Sequence, residues 1–351
     1  MKKILVIAIV VVAAFTGGFL YYLNGIGPVD PENTEDVAVQ IPEGSGASYI
    51  IDILDDAGLV KNKLCAKVNA RIGGYTSLQA NSYVLHQSMT LLEIMKVINT
   101  GDFDYVSKES FVLKDGSTIP QAAEALAEVI PYSSKDILAV WNDKEYLKGL
   151  IGEYWFLTDT ILSGDIMYPL EGYFFPDTYY LTDSEPSIQD VTKMMLDRMD
   201  ETLSERRDQI EASGFTVHEF LSLASVVTSE GGAMESEGPT IAGVFINRLE
   251  QNQPLQSDVS VNYALQQKRV DVSITDTQVD SKYNTYKNTG LPVGPICAVP
   301  AVDMDSVLNY EKTDYLFFYA TPEGEVLYAK TFEEHQKNIA AHPWSEEDLK
   351  Q

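Results

Sequence analysis

The stretch TVHEFLSLASVVTSEGG, residues 216–232, has the signature of a buried helix with defined ends. Thr216 and Glu219 form the T-x-x-E pattern of a capping box, which starts a helix at Val217. Apolar residues then recur at the three- and four-residue spacing of one helix face: Phe220, Leu223, Ala224 and Val227. The glycine pair at 231–232 is a typical helix terminator. The pattern therefore predicts a helix that begins at Val217 and ends at these glycines.

Glu230 is the chemically informative residue of this helix. Three residues beyond Val227, it falls on the same apolar face, where carboxylates are rare unless they are paired. It also lies at the helix C-terminus, where the helix dipole disfavours negative charge. Burial and an adverse dipole both raise the pKa of a carboxyl group. A glutamic acid with a raised pKa can act as a general acid near neutral pH.

A second interpretation of Glu230 is purely structural. A glutamate in the last turn of a helix could instead point into solvent, or pair with an arginine such as Arg248. The helical spacing selects Glu230 as a candidate but does not separate these alternatives.

The composition limits the classes of function. The 351 residues are enough for two or three domains, and 45% hydrophobic residues exclude global disorder. The 25 Lys and Arg against 52 Asp and Glu give a net charge of −27, which argues against nucleic acid as a partner. Two cysteines, Cys65 and Cys297, are too few for a disulfide scaffold or a cysteine zinc site.

The chain lacks the common catalytic and cofactor motifs. It contains no GxGxxG, GxxxxGK[ST], HExxH or GxSxG. Its four histidines are scattered at positions 86, 218, 335 and 342, whereas metal ligands are usually clustered. We therefore expect neither a metal ion nor a cofactor.

The N-terminus predicts a membrane anchor. Lys2 and Lys3 precede Ile4–Leu23, twenty residues without a charge. At 1.5 Å per residue such a helix spans about 30 Å, the thickness of the hydrocarbon core. The lysines favour a cytoplasmic N-terminus. We therefore predict a single transmembrane helix within 1–23, with the rest of the chain outside the cell; a cleaved signal peptide is the alternative.

The remainder is predicted to be α+β with two folded domains. Residues 24–37 are rich in Pro, Gly and acids, typical of a linker. Residues 38–105 combine a strand signal at Gln40–Ile41 with two apolar helical patterns, the second over Leu91–Ile98. A turn and another helical pattern follow Phe111, within the larger domain predicted over 106–345.

A series of motifs in the second half of the chain resembles the endolytic murein transglycosylases of the MltG (YceG-like) family. The motifs are LEGYFFPDTY at 170–179, LASVVTSE at 223–230, IAGVFINRL at 241–249, PLQSD at 254–258, YAL at 263–265, YNTY at 283–286, TGLP at 289–292, GPI at 294–296 and TFEEH at 331–335. They follow one another in the order typical of the family. The predicted anchor and the strand–helix unit before them also fit.

The resemblance implies an enzyme that cuts peptidoglycan glycan strands internally. One glutamate, matched here by Glu230, would protonate the glycosidic oxygen between N-acetylmuramic acid and N-acetylglucosamine, and the muramyl C6 hydroxyl would close on C1 to leave a 1,6-anhydro end. Because the substrate carries its own nucleophile, a second catalytic carboxylate is not required.

The resemblance also implies which residues contact the substrate, the nature of the 38–105 module and the protein partners. The polar motif residues predicted to contact substrate are Gln256, Asp258, Tyr283, Asn284 and Asn247. Asn247 and Arg248 could instead be structural. Residues 38–105 resemble a LysM-like accessory module, with a packing subdomain without glycan affinity as the alternative. Penicillin-binding proteins and the elongation machinery are the implied protein partners.

The chain departs from the family pattern close to these motifs. Thr228 replaces an acid, Gly231 a threonine and Val259 a proline. Residues 298–300 are Ala-Val-Pro instead of Asn-Pro-Gly, and a histidine is missing near Tyr328. These changes leave open a catalytically weakened wall-binding scaffold protein, and also hydrolysis by water.

Overall fold

A computed structural model describes residues 15–102, 105, 109–181, 186–231, 235–267 and 272–345. The described part of the chain is mixed α+β, with helices as the main element and three two-stranded sheets. It divides into two compact units: Met1–Ser110 with Tyr180–Pro186, and Phe111–Tyr179 with Ser187–Gln351.

The predicted transmembrane helix over Ile4–Leu23 is corrected by the structure. Among the residues described, no helix is both long enough and apolar enough for a membrane crossing. Residues 4–14 lie outside the described residues, and the helical residues described next to them, 15–25, are named α1.

The C-terminal part of α1 forms hydrogen bonds with other residues of the first unit. The hydroxyl of Tyr22 accepts a hydrogen bond from Asn69 Nδ2 at 2.9 Å, and that of Tyr21 accepts one from Asn62 Nδ2 at 2.9 Å. Ile26, in the predicted linker, is buried in the hydrophobic core of this unit.

The first unit combines one sheet with three further helices. Strands β1 (Asp36–Ile41) and β2 (Asn81–His86) pair antiparallel, from Asp36 opposite His86 to Ile41 opposite Asn81. The helices are α2 (Ala47–Asp56), α3 (Lys63–Ile72) and α4 (Leu91–Thr100). α4 begins at a Thr90 capping box and ends at Gly101, whose φ of 64° favours glycine.

The core of the first unit follows from residue spacing. The inward faces of the strands contribute alternate residues, since side chains along a strand point to opposite faces. The helices contribute residues at three- and four-residue spacing. The buried residues include Val39, Ile41, Tyr83, Leu85, Ile50, Leu54, Ile94 and Ile98.

The second unit is mainly helical. Strands β3 (Glu109–Val112) and β4 (Thr178–Leu181) pair with each other, and each has residues in both units. Within the second unit, β5 (Phe317–Ala320) and β6 (Val326–Ala329) pair antiparallel. The helices are α5 (Ile119–Ala127), α6 (Ser134–Trp141), α7 (Lys144–Glu153), α8 (Ile188–Ser204), α9 (Arg207–Ser213), α10 (Val217–Gly231), α11 (Gly238–Glu250), α12 (Asp258–Ala264), α13 (Ala301–Leu308) and α14 (Phe332–Ala341). Three short 3-10 helices lie at Asp159–Leu162, Glu235–Glu237 and Asp276–Gln278.

Helix α10 lies at the centre of this unit and begins where the sequence predicts. Thr216 Oγ1 accepts a hydrogen bond from the Glu219 amide at 3.2 Å, and Glu219 Oε2 accepts one from the Thr216 amide at 2.9 Å. The helix packs against α11, α12 and α13 and is buried on nearly all sides. Its buried hydroxyls are satisfied within the helix, as Thr228 Oγ1 donates to the Ala224 carbonyl at 3.0 Å.

Helix α11 is held close to a neighbouring segment through a glycine. A Cβ atom placed on Gly243 would collide with the backbone oxygen of Glu311. Only glycine permits this approach of one backbone to another.

Candidate active site

Glu230 lies in the last turn of α10 and is half-buried. Burial is the largest effect on its carboxyl group and raises the pKa to about 7. The negative charge of Asp258 also raises this pKa, whereas a hydrogen bond from Ser257 and the positive charge of Arg248 lower it. Near neutral pH the group is therefore divided between its protonated and ionised forms.

Ser257 is the hydrogen-bond partner of Glu230. Its Oγ donates to Glu230 Oε1 at 2.7 Å. Ser257 also occupies the N-cap position of α12, yet its side chain makes no cap hydrogen bond to that helix. The hydroxyl is turned toward the carboxylate, where a donor stabilises the ionised form.

The loop before α12 fixes the position of Ser257. The amides of Gln256 and Ser257 donate to the carbonyl oxygen and Oγ1 of Thr285, at 3.1 and 3.0 Å. Ser260 Oγ donates to the Ser257 carbonyl at 2.6 Å. Gln256 has a φ of 51°, in the left-handed region that side chains rarely adopt. Three separate contacts thus hold a strained turn that presents Ser257 to Glu230.

The hydrogen bonds of Arg248 go to backbone carbonyl oxygens. Its side chain is buried, and it donates to the carbonyl oxygens of Leu316 and Leu255, both at 2.6 Å. The guanidinium group also lies 4.8 Å from the ring centroid of Phe317. Arg248 therefore connects α11 to Leu255 and to Leu316, the residue before β5. The structure does not show the alternative in which Glu230 and Arg248 form a hydrogen-bonded pair, because Glu230 is bonded by Ser257.

Asp258 is held by a tyrosine. Tyr286 Oη donates to Asp258 Oδ1 at 2.6 Å. Burial and this neighbouring carboxylate raise the pKa of Tyr286, so the phenol stays protonated and remains a donor. Asp258 is thereby oriented in the same cavity as Glu230.

Glu230 opens into a cavity of about 560 Å³. One side is polar and contains Glu230, Gln256, Ser257 and Asp258. The other side is aromatic and comes mainly from β5 and the C-terminal region: Phe317, Phe318, Tyr319, Phe332 and Trp344. An apolar ring surface facing directed hydrogen-bond groups suits a sugar, which has an apolar face and a rim of hydroxyls.

The structure brings together three of the six predicted site residues. Glu230, Gln256 and Asp258 line this cavity, whereas Asn247, Tyr283 and Asn284 do not. Asn247 Nδ2 donates to the carbonyl oxygens of residues 313 and 315, both at 2.9 Å. Asn284 Nδ2 donates to those of residues 277 and 279, and Tyr283 Oη accepts from the amide of residue 167.

Several residues of the cavity escaped the sequence analysis. Ser257 sits inside the PLQSD motif, but nothing in its spacing shows that it reaches a residue on α10. Tyr286 likewise becomes significant only through its contact with Asp258. The aromatic run at 317–319 was a usable signal, since three consecutive aromatic residues are unusual on a short strand.

No metal site is evident in the described parts of the chain. Within residues 15–102, 105, 109–181, 186–231, 235–267 and 272–345, no group of three or more His, Cys, Asp or Glu side chains could hold an ion.

Comparison with known proteins places the chain in a family. The sequence model of the YceG-like family matches residues 39–341. An "Endolytic murein transglycosylase" of Bacillus subtilis is 33% identical over 92% of this chain and 89% of its own length. Another protein of that name, from Streptococcus pneumoniae, is 34% identical over 93% of this chain, which spans 62% of that protein.

A solved structure gives the same result. The crystal structure of a YceG-like protein from Listeria monocytogenes, at 2.6 Å resolution, superposes with a TM-score of 0.63 and 34% sequence identity. The match covers 87% of this chain and 99% of that one. These matches confirm the resemblance found in the motifs: the chain belongs to the YceG-like family.

Proposed function

We propose that this protein is a peptidoglycan lytic transglycosylase that cuts glycan strands internally, with Glu230 as its acid and base. The observation that supports this most directly is a half-buried glutamic acid with a pKa of about 7 in a cavity with one polar and one aromatic side. Its family relatives are named as murein transglycosylases, the enzyme class predicted from the motifs.

The reaction needs one proton donor that later becomes an acceptor. Protonated Glu230 gives its proton to the glycosidic oxygen, and the bond from C1 of N-acetylmuramic acid to that oxygen breaks with the electron pair going to oxygen. The muramyl C6 hydroxyl bonds to C1, and its proton passes to the Glu230 carboxylate. Glu230 is restored, no water is consumed, and a 1,6-anhydro end is formed.

The surroundings of Glu230 suit both steps. Burial and the charge of Asp258 favour the protonated acid needed at the start. The Ser257 hydroxyl stabilises the carboxylate formed after proton transfer. A pKa near 7 keeps both protonation states accessible at neutral pH, as a residue that acts first as acid and then as base requires.

Hydrolysis is the competing chemistry, because Asp258 supplies a second carboxylate in the same cavity. In a two-carboxylate hydrolase that residue would activate water or attack the sugar. The hydrogen bond from Tyr286 instead occupies one oxygen of Asp258. We therefore assign Asp258 an electrostatic role, in which its charge raises the pKa of Glu230.

The test is incubation of the full chain with uncrosslinked glycan strands, followed by mass analysis of the products. The proposal expects ends that are one water lighter than hydrolysed ends, and loss of product in Glu230→Gln. Glu145→Gln is a matched control, because its side chain is 83% exposed on α7. Hydrolysed ends would establish the hydrolase, and binding without any cleavage would establish the scaffold alternative.

Because the proposed substrate is peptidoglycan, we assign the activity to the cell wall, outside the cytoplasm. The family resemblance further suggests that 38–105 acts as a LysM-like glycan-holding module, and that penicillin-binding and elongation proteins are partners. Co-purification of the full chain with these proteins from crosslinked cells tests the second point. Titration of strands against the full chain, with and without surface substitutions in 38–105, tests the first.

A further inference from the structure

The residues after α14 return to the cavity that contains Glu230. Helix α14 packs against β5 and β6 and ends at Ala341, and His342, Pro343 and Trp344 come next in the chain. Trp344 lines the same cavity as Glu230, although the two residues lie far apart in the sequence. The C-terminal segment therefore contributes a side chain to the wall of the candidate active site.

Two hydrogen bonds attach this segment to β5. Tyr319 Oη donates to the His342 carbonyl at 2.6 Å, and Trp344 Nε1 donates to the Ala320 carbonyl at 3.0 Å. Because Tyr319 and Ala320 are the last two residues of β5, both bonds attach the segment to the same end of the strand. Pro343 stands between the two tethered residues, and its ring restricts the backbone φ to about −65°. The indole of Trp344 is thus held by its polar edge.

The other aromatic rings on the wall of this cavity are packed against neighbouring rings. Phe317, for example, stacks on His335 with the ring centroids 5.2 Å apart, and the Arg248 guanidinium lies 4.8 Å from the Phe317 centroid. The rings with aromatic contacts of this kind are those of Phe317, Phe318, Tyr319 and Phe332.

Trp344 differs from these residues. Within the part of the chain that the structure describes, its indole stacks on no other aromatic ring and no cation lies over it. Trp344 is also 38% exposed. The cavity therefore contains one indole that is anchored at its N–H and keeps accessible ring surface.

An anchored indole of this kind suits a sugar ring. The faces of a pyranose carry C–H groups, whereas its hydroxyl and N-acetyl groups point outward from the rim. An aromatic face can cover the C–H groups, while directed polar groups bind the rim. The polar side of the cavity, with Gln256, Ser257 and Asp258, supplies groups of the second kind.

Membership of the family does not by itself imply a role for Trp344. The sequence model of the YceG-like family matches residues 39–341, and Trp344 lies beyond that range. It also lies beyond the last family motif, TFEEH at 331–335. Its contacts in this chain are therefore the basis for assigning it a role.

We propose that Trp344 is a substrate-binding residue, on whose indole face a sugar of the glycan strand stacks inside the Glu230 cavity. The inference rests on the proposed function, which supplies the class of substrate, and it adds a specificity determinant from the C-terminal segment. The hydrogen bond of Trp344 goes to Ala320, whereas that of Glu230 comes from Ser257. Trp344 should therefore contribute to sugar binding and not to proton transfer.

Indole fluorescence of the full chain tests the contact directly, with Glu230→Gln as the parent because it prevents turnover. Of the three tryptophans, Trp141 is 1% exposed and Trp155 has the Arg207 guanidinium 4.4 Å from its ring centroid, so acrylamide should quench Trp344 most strongly. A peptide-free glycan octasaccharide should reduce this quenching in the parent. In the parent with Trp344→Phe added, the octasaccharide should leave the remaining quenching unchanged.

Affinity for the same octasaccharide measures the contribution of the ring. Trp344→Ala should bind about tenfold more weakly than the parent, which corresponds to about 1.4 kcal/mol. Trp344→Leu should lose a similar amount, because it keeps apolar bulk without a flat face, whereas Trp344→Phe should bind more tightly than both. Tyr132→Ala is the matched control with parent-like affinity, because Tyr132 is 39% exposed and does not line the cavity.

Kinetics with Glu230 intact separate sugar binding from a structural role. Trp344→Ala should raise KM about tenfold while kcat and the alkaline limb of the pH profile stay unchanged, since only binding is lost. A change in kcat or in that limb without a change in KM would mean that Trp344 supports the position of Glu230, and would overturn the inference.

Three binding results would also overturn it: parent-like affinity in Trp344→Ala, equal affinity of the leucine and phenylalanine variants, or a loss confined to strands that carry stem peptides. In the last case the partner of Trp344 would be peptide and not sugar. The proposed function is judged separately, by anhydro product from the unchanged protein, so the two can fail independently.

Discussion

Removal of the Ser257 hydroxyl should change the pH range in which the enzyme works. Ser257 Oγ donates to Glu230 Oε1 at 2.7 Å and so stabilises the ionised carboxylate. A hydrogen bond to a charged group contributes about 1.5–3 kcal/mol, and one pKa unit corresponds to about 1.4 kcal/mol. Ser257→Ala should therefore raise the pKa of Glu230 from about 7 by roughly one to two units.

The sign of the effect follows from the role of Glu230 as an acid. Activity falls as pH rises through the pKa of a general acid, because the proton is lost. Since kcat/KM reports the free enzyme, its alkaline limb should lie near pH 7 in the unchanged protein and about one to two units higher in Ser257→Ala. The absolute rate is expected to fall as well, because the carboxylate formed in the first step loses its donor.

The assay is the rate of anhydro-end formation from glycan strands, measured across the pH range at low substrate concentration. Ser222→Ala is the matched control, since this α10 hydroxyl donates to the His218 carbonyl and does not contact Glu230. Its alkaline limb should coincide with that of the unchanged protein. An alkaline limb that does not move in Ser257→Ala would refute the assignment of Glu230 as the titrating acid.

Three further predictions concern stability. Burial raises the pKa of Glu171 from 4.5 to about 8 in the folded protein. The free energy of unfolding should therefore fall as the pH rises from about 4.5 to about 8, because the unfolded chain loses this proton first. In denaturant titrations at each pH, Glu171→Gln should show a smaller fall. Thr192→Val leaves the buried indole N–H of Trp141 without its acceptor at 2.8 Å and should lower the free energy of unfolding, measured by denaturant titration, by about 1–3 kcal/mol; an unchanged value would contradict the importance of this bond. Gly243→Ala should lower the melting temperature, because its Cβ would collide with a neighbouring backbone. The control is Gly149→Ala in α7, whose Cβ meets nothing within 4 Å, and its melting temperature should be unchanged or higher. Equal changes of melting temperature in the two variants would contradict the close approach at Gly243.

The local elements of the fold could be predicted from the sequence. The capping box at Thr216 and the apolar spacing through Val227 give the start and the buried face of α10. Gly101 ends α4, and Pro120 lies in the first turn of α5. These signals depend only on residues within a few positions of one another, so they can be recognised in a single sequence without the tertiary structure.

The composition of the site could be predicted only in part. Glu230 is selected by helical register, but Ser257 reaches it across a separation of 27 residues that no periodic pattern encodes. Asn247 and Asn284 show the opposite problem. A polar side chain in a motif can serve a ligand or satisfy a buried backbone carbonyl, and both residues do the latter.

The transmembrane prediction over Ile4–Leu23 was wrong for the residues that the structure describes. Hydropathy over Ile4–Leu23 measures transfer of side chains into lipid, and it contains no information about alternative partners. In the structure, the hydroxyls of Tyr21 and Tyr22 accept hydrogen bonds from α3.

The burial of α10 links the chemistry of the site to the cooperativity of the whole second unit. Glu230 belongs to a helix that is enclosed by three others, and such elements open only in the largest unfolding events. The amides of α10 should accordingly exchange with solvent among the slowest in the chain. Thermal inactivation should then coincide with global unfolding and not precede it, because the body of the helix that carries the acid opens only with the rest of the unit.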